Sequence, residues 1–294
     1  VMKRFEPVCV EHRPDWVVVV GDVNSTIAAA LVASKLEIKV AHVEAGLRSF
    51  DRTMPEEINR VLTDAISDLL FVTEISGVEN LRREGVADER IHLVGNVMID
   101  TLVKSRARAE QSTILRDLGL EKVRYAVVTL HRPSNVDDPA AFTPILSALE
   151  TICRDMPVVF PIHPRTRKNL DTHGLSARIA ANTRLRLVEP LGYLDFLKLL
   201  ADSGVVLTDS GGIQEETTVL GVPCLTLRNN TERPITISQG TNRLAGTTTE
   251  GILKAYREAM GRSRTAVAAP DLWDGHAADR IVACLVTESA RHSS

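Results

Sequence analysis

Near the start of this chain, acidic residues recur at the ends of apolar runs. Gly21-Asp22-Val23-Asn24-Ser25-Thr26 follows the run Trp16–Val20. His42-Val43-Glu44-Ala45-Gly46-Leu47-Arg48 closes the run Lys39–Val43. A third carboxylate stands in Met54-Pro55-Glu56-Glu57-Ile58-Asn59-Arg60. A carboxylate at the end of a buried strand is costly to desolvate without a partner, and Arg48 and His42 are the nearby partners for Glu44. Each motif also has a plain structural use. Asp, Asn and Ser cap helices, Glu44 fits an ion pair, and Glu56 suits the positive first turn of a helix that Pro55 opens. Three such carboxylates in succession predict that Asp22, Glu44 and Glu56 converge on one pocket and do acid–base work.

A second group of motifs is cationic or glycine-rich. Leu130-His131-Arg132-Pro133-Ser134 and Ile162-His163-Pro164-Arg165-Thr166-Arg167-Lys168 each end an apolar run. They place His131, Arg132 and His163 where an anionic ligand could be held. Thr208-Asp209-Ser210-Gly211-Gly212-Ile213-Gln214-Glu215-Glu216 reads as a strand, a tight turn and a helix. Glycines allow close backbone approach, and the free N–H groups of a helix start favour a diphosphate. Glu216 then lies about a turn and a half into the helix, within reach of ribose hydroxyls. The polar loop Arg228-Asn229-Asn230-Thr231-Glu232-Arg233-Pro234, with Gly240-Thr241-Asn242, is long enough to close over a nucleotide.

The elements that must position these groups alternate regularly. Strands are expected at Trp16–Val20, Lys39–Val43, Leu69–Val72 and Ile91–Val94, with helices at Val23–Lys35, Pro55–Ser67 and Ile75–Glu84 between them. Near-continuous Val and Ile content marks buried parallel strands. The charged stretch Lys104–Lys122 reads as a helix and linker. Strands then resume at Tyr125–Leu130, Val158–Ile162, Leu185–Val188, Val205–Thr208 and Cys224–Leu227. Helices fall at Pro139–Arg154, Leu191–Ala201, Ile213–Leu220 and Gly251–Arg262, and Ala277–Arg291 is a last amphipathic helix. The pattern predicts an α/β protein with two Rossmann-like, doubly wound parallel-sheet domains facing across a cleft. The first spans residues 1–105 and is completed by a C-terminal helix over 271–294. The second spans 106–270. Val1–His12 reads as the middle of a crossover helix, so further chain is expected upstream of Val1.

Composition narrows the partners. The chain has 294 residues, a formal charge of −3 and 4% aromatic residues. Nothing here attracts nucleic acid or an anionic membrane, and stacking surfaces for single strands are scarce. No apolar run approaches the ~20 residues of a membrane span. Cys9, Cys153, Cys224 and Cys284 are widely spaced, which fits free thiols in a reducing cytoplasm rather than a disulfide or metal framework. Neither a dinucleotide fingerprint nor a Walker loop is present, and no His/Cys cluster or Asp-x-Asp pair suggests a metal.

Taken in order, Gly21-Asp22, His42 to Arg48, Pro55-Glu56-Glu57, His131-Arg132 and Asp209 to Glu216 resemble the non-hydrolysing UDP-N-acetylglucosamine 2-epimerases. Gly95-Asn96-Val97-Met98-Ile99-Asp100 and Thr231-Glu232-Arg233-Pro234 add to the likeness, which is clearest from Trp16 to Gly246. The resemblance implies a GT-B-like fold and interconversion of UDP-GlcNAc and UDP-ManNAc without a cofactor or metal. It implies that Asp22, Glu44, Glu56 and His131 are catalytic. It places Arg48, Arg132, His163, Ser210, Gly211, Gly212, Glu216 and Arg233 at the UDP-sugar, and it implies a homodimer serving polysaccharide synthesis. Two departures stand out. The family's N-terminal strand–helix–strand unit, with its Gly-Thr-Arg-Pro-Glu loop, is absent from this sequence, and Ile235 stands where many members have Glu. A hydrolysing epimerase, a GT-B glycosyltransferase and a non-catalytic UDP-sugar binder are the competing readings.

Overall fold

Four valines after Trp16, and Leu-Leu-Phe-Val at 69–72, are stiff or bulky side chains that favour extended backbone. In the computed structural model, which describes residues 1–261 and 269–292, both segments are strands. Arg262, the last residue of one expected helix, and residues 293–294 lie outside that description. The chain divides into two compact units, Val1–Asp100 with Asp271–Ser294, and Thr101–Pro270. The division falls after Asp100, inside a helix.

The first unit runs α1 (Met2–His12), β1 (Trp16–Val20), α2 (Asn24–Lys35), β2 (Lys39–Ala45), α3 (Pro55–Ile66), β3 (Leu69–Val72), α4 (Ile75–Arg83) and β4 (Ile91–Leu93). Helix α5 (Val97–Ala109) leads into the second unit. Its sheet is parallel, in the order β1-β2-β3-β4. One face packs Val17, Val19 and Val40 against Ala30 and Ala33 of α2. Ala41, Val43 and Phe71 pack on the other face with Ile281.

The second unit begins with α6 (Ile114–Asp117), β5 (Ala126–Thr129), α7 (Pro133–Val136), α8 (Pro139–Ile152), β6 (Val158–Pro161), α9 (Pro164–Thr172) and α10 (Ser176–Ala180). It continues through β7 (Leu185–Val188), α11 (Tyr193–Ala201), β8 (Val205–Thr208), α12 (Gly211–Leu220), β9 (Cys224–Thr226), α13 (Ile235–Ser238), β10 (Asn242–Leu244) and α14 (Thr249–Met260). The last helix, α15 (Ala277–His292), returns to the first unit and carries Ile281. Asp100 caps it by accepting from the amides of Ala277 (3.1 Å) and Ala278 (2.7 Å). Trp273, fully buried, donates to the carbonyl of Thr73 at 3.0 Å.

The second sheet is parallel in the order β10-β9-β8-β5-β6-β7. The chain winds from β5 through β6 to β7, then crosses back to β8 and winds the other way. The carboxyl ends of β5 and β8 are therefore a topological switch point, where ligands bind in doubly wound sheets. Phe142, Ile145 and Leu149 of α8 join Phe160 and Leu207 on one face. Leu199 and Leu200 of α11 join Val159 and Val206 on the other. Strand β10 was not expected from the sequence: three residues are too few to show a period.

Cys9, Cys153 and Cys224 are buried free thiols and Cys284 is half-buried. Burial pushes Cys153 up to about 11 and Cys224 up to about 12, so both behave as small apolar side chains. Among the described residues no helix is long and apolar enough to cross a membrane. No group of three potential metal ligands is found among them either.

Gly46 has φ +79°, and a Cβ there would lie 2.5 Å from the carbonyl oxygen of Gly77. Gly85 has φ +83° with open space around it. Gly85→Ala should cost only the left-handed strain, about 1–2 kcal/mol. Gly46→Ala adds overpacking and should cost about 2–5 kcal/mol in all. Urea unfolding of both variants checks the difference, and equal losses would contradict the packing described.

Candidate active site

In the first unit Asp22 stands just after β1, Glu44 at the carboxyl end of β2 and Glu56 in the first turn of α3. Strand β2 is irregular between Val43 and Ala45, and the residue between them, Glu44, has φ +74°. A non-glycine residue held there costs about 1–2 kcal/mol. The twist carries the Glu44 carboxylate over Gly21, where a Cβ would lie 3.4 Å from Oε2. Asp22 follows Gly21 and is held by the Arg60 guanidinium. Asn59 donates to the Asp22 carbonyl at 2.9 Å. Glu44, Asp22 and Glu56 are all half-buried.

The neighbouring charges are structural. Glu57, next to Glu56, is buried and accepts from Ser49 N (2.9 Å), Ser49 Oγ (2.9 Å), Phe50 N (2.9 Å) and Arg60 Nη1 (2.8 Å). Asp64 of α3 accepts from His42 Nδ1 at 2.6 Å, Gly46 N at 3.1 Å and Arg48 Nη1 at 2.7 Å. His42 Nε2 faces the carbonyl of Gly21 at 2.9 Å. Arg48 also pairs with Glu84 at 2.7 Å and is 2% exposed in its side chain. The partner of His42 and Arg48 is thus Asp64 rather than Glu44. Both side chains are committed to Asp64, a mid-helix residue that no sequence signal marks.

In the second unit Thr129 and Thr208 are register partners on β5 and β8, their hydroxyls 2.7 Å apart. That register brings the next residues together. Asp209, fully buried, meets His131 Nδ1 at 2.8 Å and the amide of Arg132 at 3.0 Å. Burial alone would raise the Asp209 carboxyl. The His131 hydrogen bond and charge and the two backbone amides outweigh it, and the group lies below its ordinary value. Arg132 Nε donates to the Asp209 carbonyl at 2.9 Å. His163 caps α9 through Nδ1, and its ring centre is 6.1 Å from that of His131. Asp209 carries the same signal as Asp22 and Glu44, an acid directly after an apolar run, yet the sequence reading does not name it as a site residue.

Helix α12 starts at Gly211, with Ser210 as its N-cap and no side chain capping its first turn. The Ser210 amide donates to Thr208 Oγ1 at 3.0 Å, which leaves the amides of Gly211 and Gly212 as helix-start donors able to cradle an anion at the switch point. Beneath it lies a buried charge cluster. Arg233 pairs with Glu215 (2.6 Å) and Glu232 (2.9 Å), and Arg228 pairs with Glu232 (2.9 Å). Arg132 approaches Glu232 at 3.6 Å. A Cβ on Gly211 would lie 2.9 Å from Glu232 Oε1, so glycine is required for this close approach. Arg233 is therefore a buried support beneath the first turn of α12. Asn242 is also structural: it lies in β10 and donates to Gln214 at 3.0 Å and Thr236 at 3.1 Å. Glu216 is 4% exposed and accepts from the Tyr193 hydroxyl at 3.0 Å. Burial raises the Glu216 carboxyl, against the Tyr193 hydrogen bond. Burial and then the Glu216 charge raise the Tyr193 phenol.

Two parallel-sheet α/β units, with strand-end carboxylates in one and a glycine-led anion cradle in the other, define an enzyme of the nucleotide-binding α/β class. The UDP-N-acetylglucosamine 2-epimerase of Methanocaldococcus jannaschii is 45% identical over 266 residues, covering 89% of this chain and 73% of that protein. The UDP-2,3-diacetamido-2,3-dideoxy-D-glucuronate 2-epimerase of Pseudomonas aeruginosa is 41% identical over 266 residues, covering 89% and 72%. The crystal structure of the M. jannaschii UDP-GlcNAc 2-epimerase in complex with UDP-GlcNAc and UDP superposes with a TM-score of 0.90 at 43% identity. That match covers 97% of this chain and 79% of the other. The family profile described as UDP-N-acetylglucosamine 2-epimerase matches residues 1–286, and the chain belongs to that family.

Glu232 tests the buried cluster. Burial alone would raise its carboxyl, but Arg233, Arg228 and Arg132 hold it at about 2. The depression from an ordinary carboxylate corresponds to about 3 kcal/mol of stability. For a depressed acid that contribution is present above the unfolded value, ~4.5, and is lost as pH falls through about 2. Glu232→Gln should therefore be about 3 kcal/mol less stable than the parent at pH 7. The gap should narrow steadily below pH ~4.5. Denaturant unfolding across this range checks it, and a gap independent of pH would contradict the ion-pair account.

Proposed function

We propose that this chain interconverts UDP-GlcNAc and UDP-ManNAc by eliminating UDP and adding it back. The observation that carries the reading is the uncapped first turn of α12 beside His131 at the β5/β8 switch point. It is a preformed receptor for a diphosphate that must be held while detached. The same reading carries UDP-sugar substrates without a cofactor or metal, no nucleic-acid or membrane partner, a homodimer and a cytoplasmic setting.

The C2 proton of the sugar is not next to a carbonyl and is too weakly acidic for direct removal. Cleavage of the C1–O bond first sends its electron pair to the diphosphate and leaves a cation-like C1. The C2 proton then passes to a carboxylate, and its bonding pair forms C1=C2, giving a 2-acetamidoglucal. In the return step an acid delivers a proton to the opposite face of C2, and a diphosphate oxygen re-forms the bond to C1. The Ser210 hydroxyl and the amides of Gly211 and Gly212, with His131 and Arg132, hold the departing charge. His163 and Glu216 complete the UDP contacts, Glu216 toward the ribose. Asp22, Glu44 and Glu56 supply the stabilising carboxylate and the acid and base that inversion requires. The strained Glu44 and the Arg60-held Asp22 are groups fixed in advance, as such a role demands.

A second reading has one specific support, the 41% identical P. aeruginosa enzyme named for a 2,3-diacetamido-glucuronate substrate. The same elimination at C1–C2 serves that sugar, so the two readings differ only in the groups at C3 and C6. Proton NMR in D₂O with each UDP-sugar separates them. The expected result is UDP-ManNAc carrying deuterium at C2 with UDP still attached. Free ManNAc with UDP would indicate the hydrolysing reaction, and turnover of the diacetamido sugar alone would overturn the substrate assignment. UDP binding without turnover would overturn the enzymatic reading. Asp22→Asn, Glu44→Gln and Glu56→Gln should each lower kcat by about 10²–10⁴-fold, and near-full activity in all three would reject the acid–base scheme.

A further inference from the structure

The Asp209 carboxylate has two sides with different tasks. Oδ2 accepts from the amides of His131 (3.1 Å) and Arg132 (3.0 Å) and from Asn135 Nδ2 (3.1 Å). Oδ1 faces His131 Nδ1 at 2.8 Å and the His131 amide at 3.2 Å. One side fixes the backbone that leaves β5. The other faces the ring, whose side chain is 45% exposed while Asp209 is fully buried. A carboxylate can only accept, so His131 Nδ1 carries its hydrogen whether the ring is neutral or charged. Proton gain and loss are thereby confined to Nε2.

We infer that Asp209 is a positioning residue that fixes the tautomer and orientation of His131, leaving Nε2 as the ring's one exchanging position. This rests on the proposed reaction only for its catalytic consequence. There, Nε2–H of the charged ring donates to the diphosphate oxygen that receives the C1–O electron pair, and the donation reverses when UDP adds back. Without the carboxylate, the neutral ring would be free to place its hydrogen on Nε2 and turn a bare Nδ1 inward. Arg132 and His163 also stand near the ring, but Arg132 Nε is engaged by the Asp209 carbonyl and His163 Nδ1 accepts from the Arg165 amide. Neither specifies the His131 tautomer.

Asp209→Asn separates the two tasks. The three donors around Oδ2 favour the amide oxygen of Asn on their side, which keeps the turn intact. The amide nitrogen then faces His131 Nδ1 and donates to it, so the neutral ring must carry its hydrogen on Nε2. The measurement is nitrogen-15 NMR of the ring nitrogens in the full chain, with the His131 signals assigned by their loss in His131→Gln. The parent is expected to show Nδ1–H and a bare Nε2 when neutral, and the Asn variant the reverse. With UDP-GlcNAc, kcat of Asp209→Asn should fall about 10²–10⁴-fold while KM changes by less than about threefold. Combined with His131→Gln it should lose little more than either alone. A bare Nδ1 in the parent would overturn the assignment, and that spectrum decides even if the variant fails to fold. An exchanged tautomer with unchanged kcat would overturn the catalytic consequence. If the parent does not epimerise UDP-GlcNAc, the proposed reaction fails while the ring-nitrogen result still decides the role of Asp209.

Discussion

A carboxylate removed from water must be surrounded by donors, and that requirement organises the ligand-facing end of each unit. Asp64 draws His42, Arg48 and the Gly46 amide onto one side of α3. Those partners come from β2 and the loop beyond it, so the loop's path follows from where Asp64 sits. Asp209 does the same in the second unit, tying the turn after β5 to the end of β8. In both cases breaking one partner would leave an uncompensated buried charge, which is far more costly than losing an exposed ion pair. The loops are thus held by electrostatics while the strands beneath are held by apolar burial.

The cluster beneath the α12 cradle shows the same constraint with opposite sign. Arg132, Arg228 and Arg233 outnumber Glu215 and Glu232, and Arg228 is lowered from its ordinary value by burial and by its cationic neighbours. Gly211 is the point of contact between backbone and cluster: any larger residue would push Glu232 and Arg233 away. Gly211 of the Ser-Gly-Gly turn therefore serves packing beneath the helix start.

Backbone strain is concentrated beside the carboxylates. Glu44 occupies the left-handed region at an irregularity in β2, and Gly21 opposite it has φ +70°. Side chains would normally alternate across a sheet, but the irregularity turns Glu44 out of that alternation and over the end of β1. Strained residues persist where surrounding contacts over-determine them, commonly at functional sites.

The sequence by itself determined the alternation of strands and helices, the two parallel sheets and the Ser-Gly-Gly turn that follows a strand. These features depend on local periodicity and on residues with singular backbone behaviour, and both are written in neighbouring positions. It also marked Asp22, Glu44 and His131 as strand-end groups. Only the tertiary structure decided which charged residues face inward. Arg48, Arg233 and Asn242 look like ligand contacts in sequence, yet each is buried against a partner 16 or more positions away. Glu56 and Glu57 are adjacent and alike, and the turn of α3 makes one a buried cap for Ser49 and Phe50 and leaves the other half-exposed. The pairing of Asp209 with His131 comes from the register of β5 on β8, which joins residues 78 positions apart. Local composition fixes what an element is, but a charge's partner is fixed by which strands lie side by side, and that is settled only when the whole sheet is assembled.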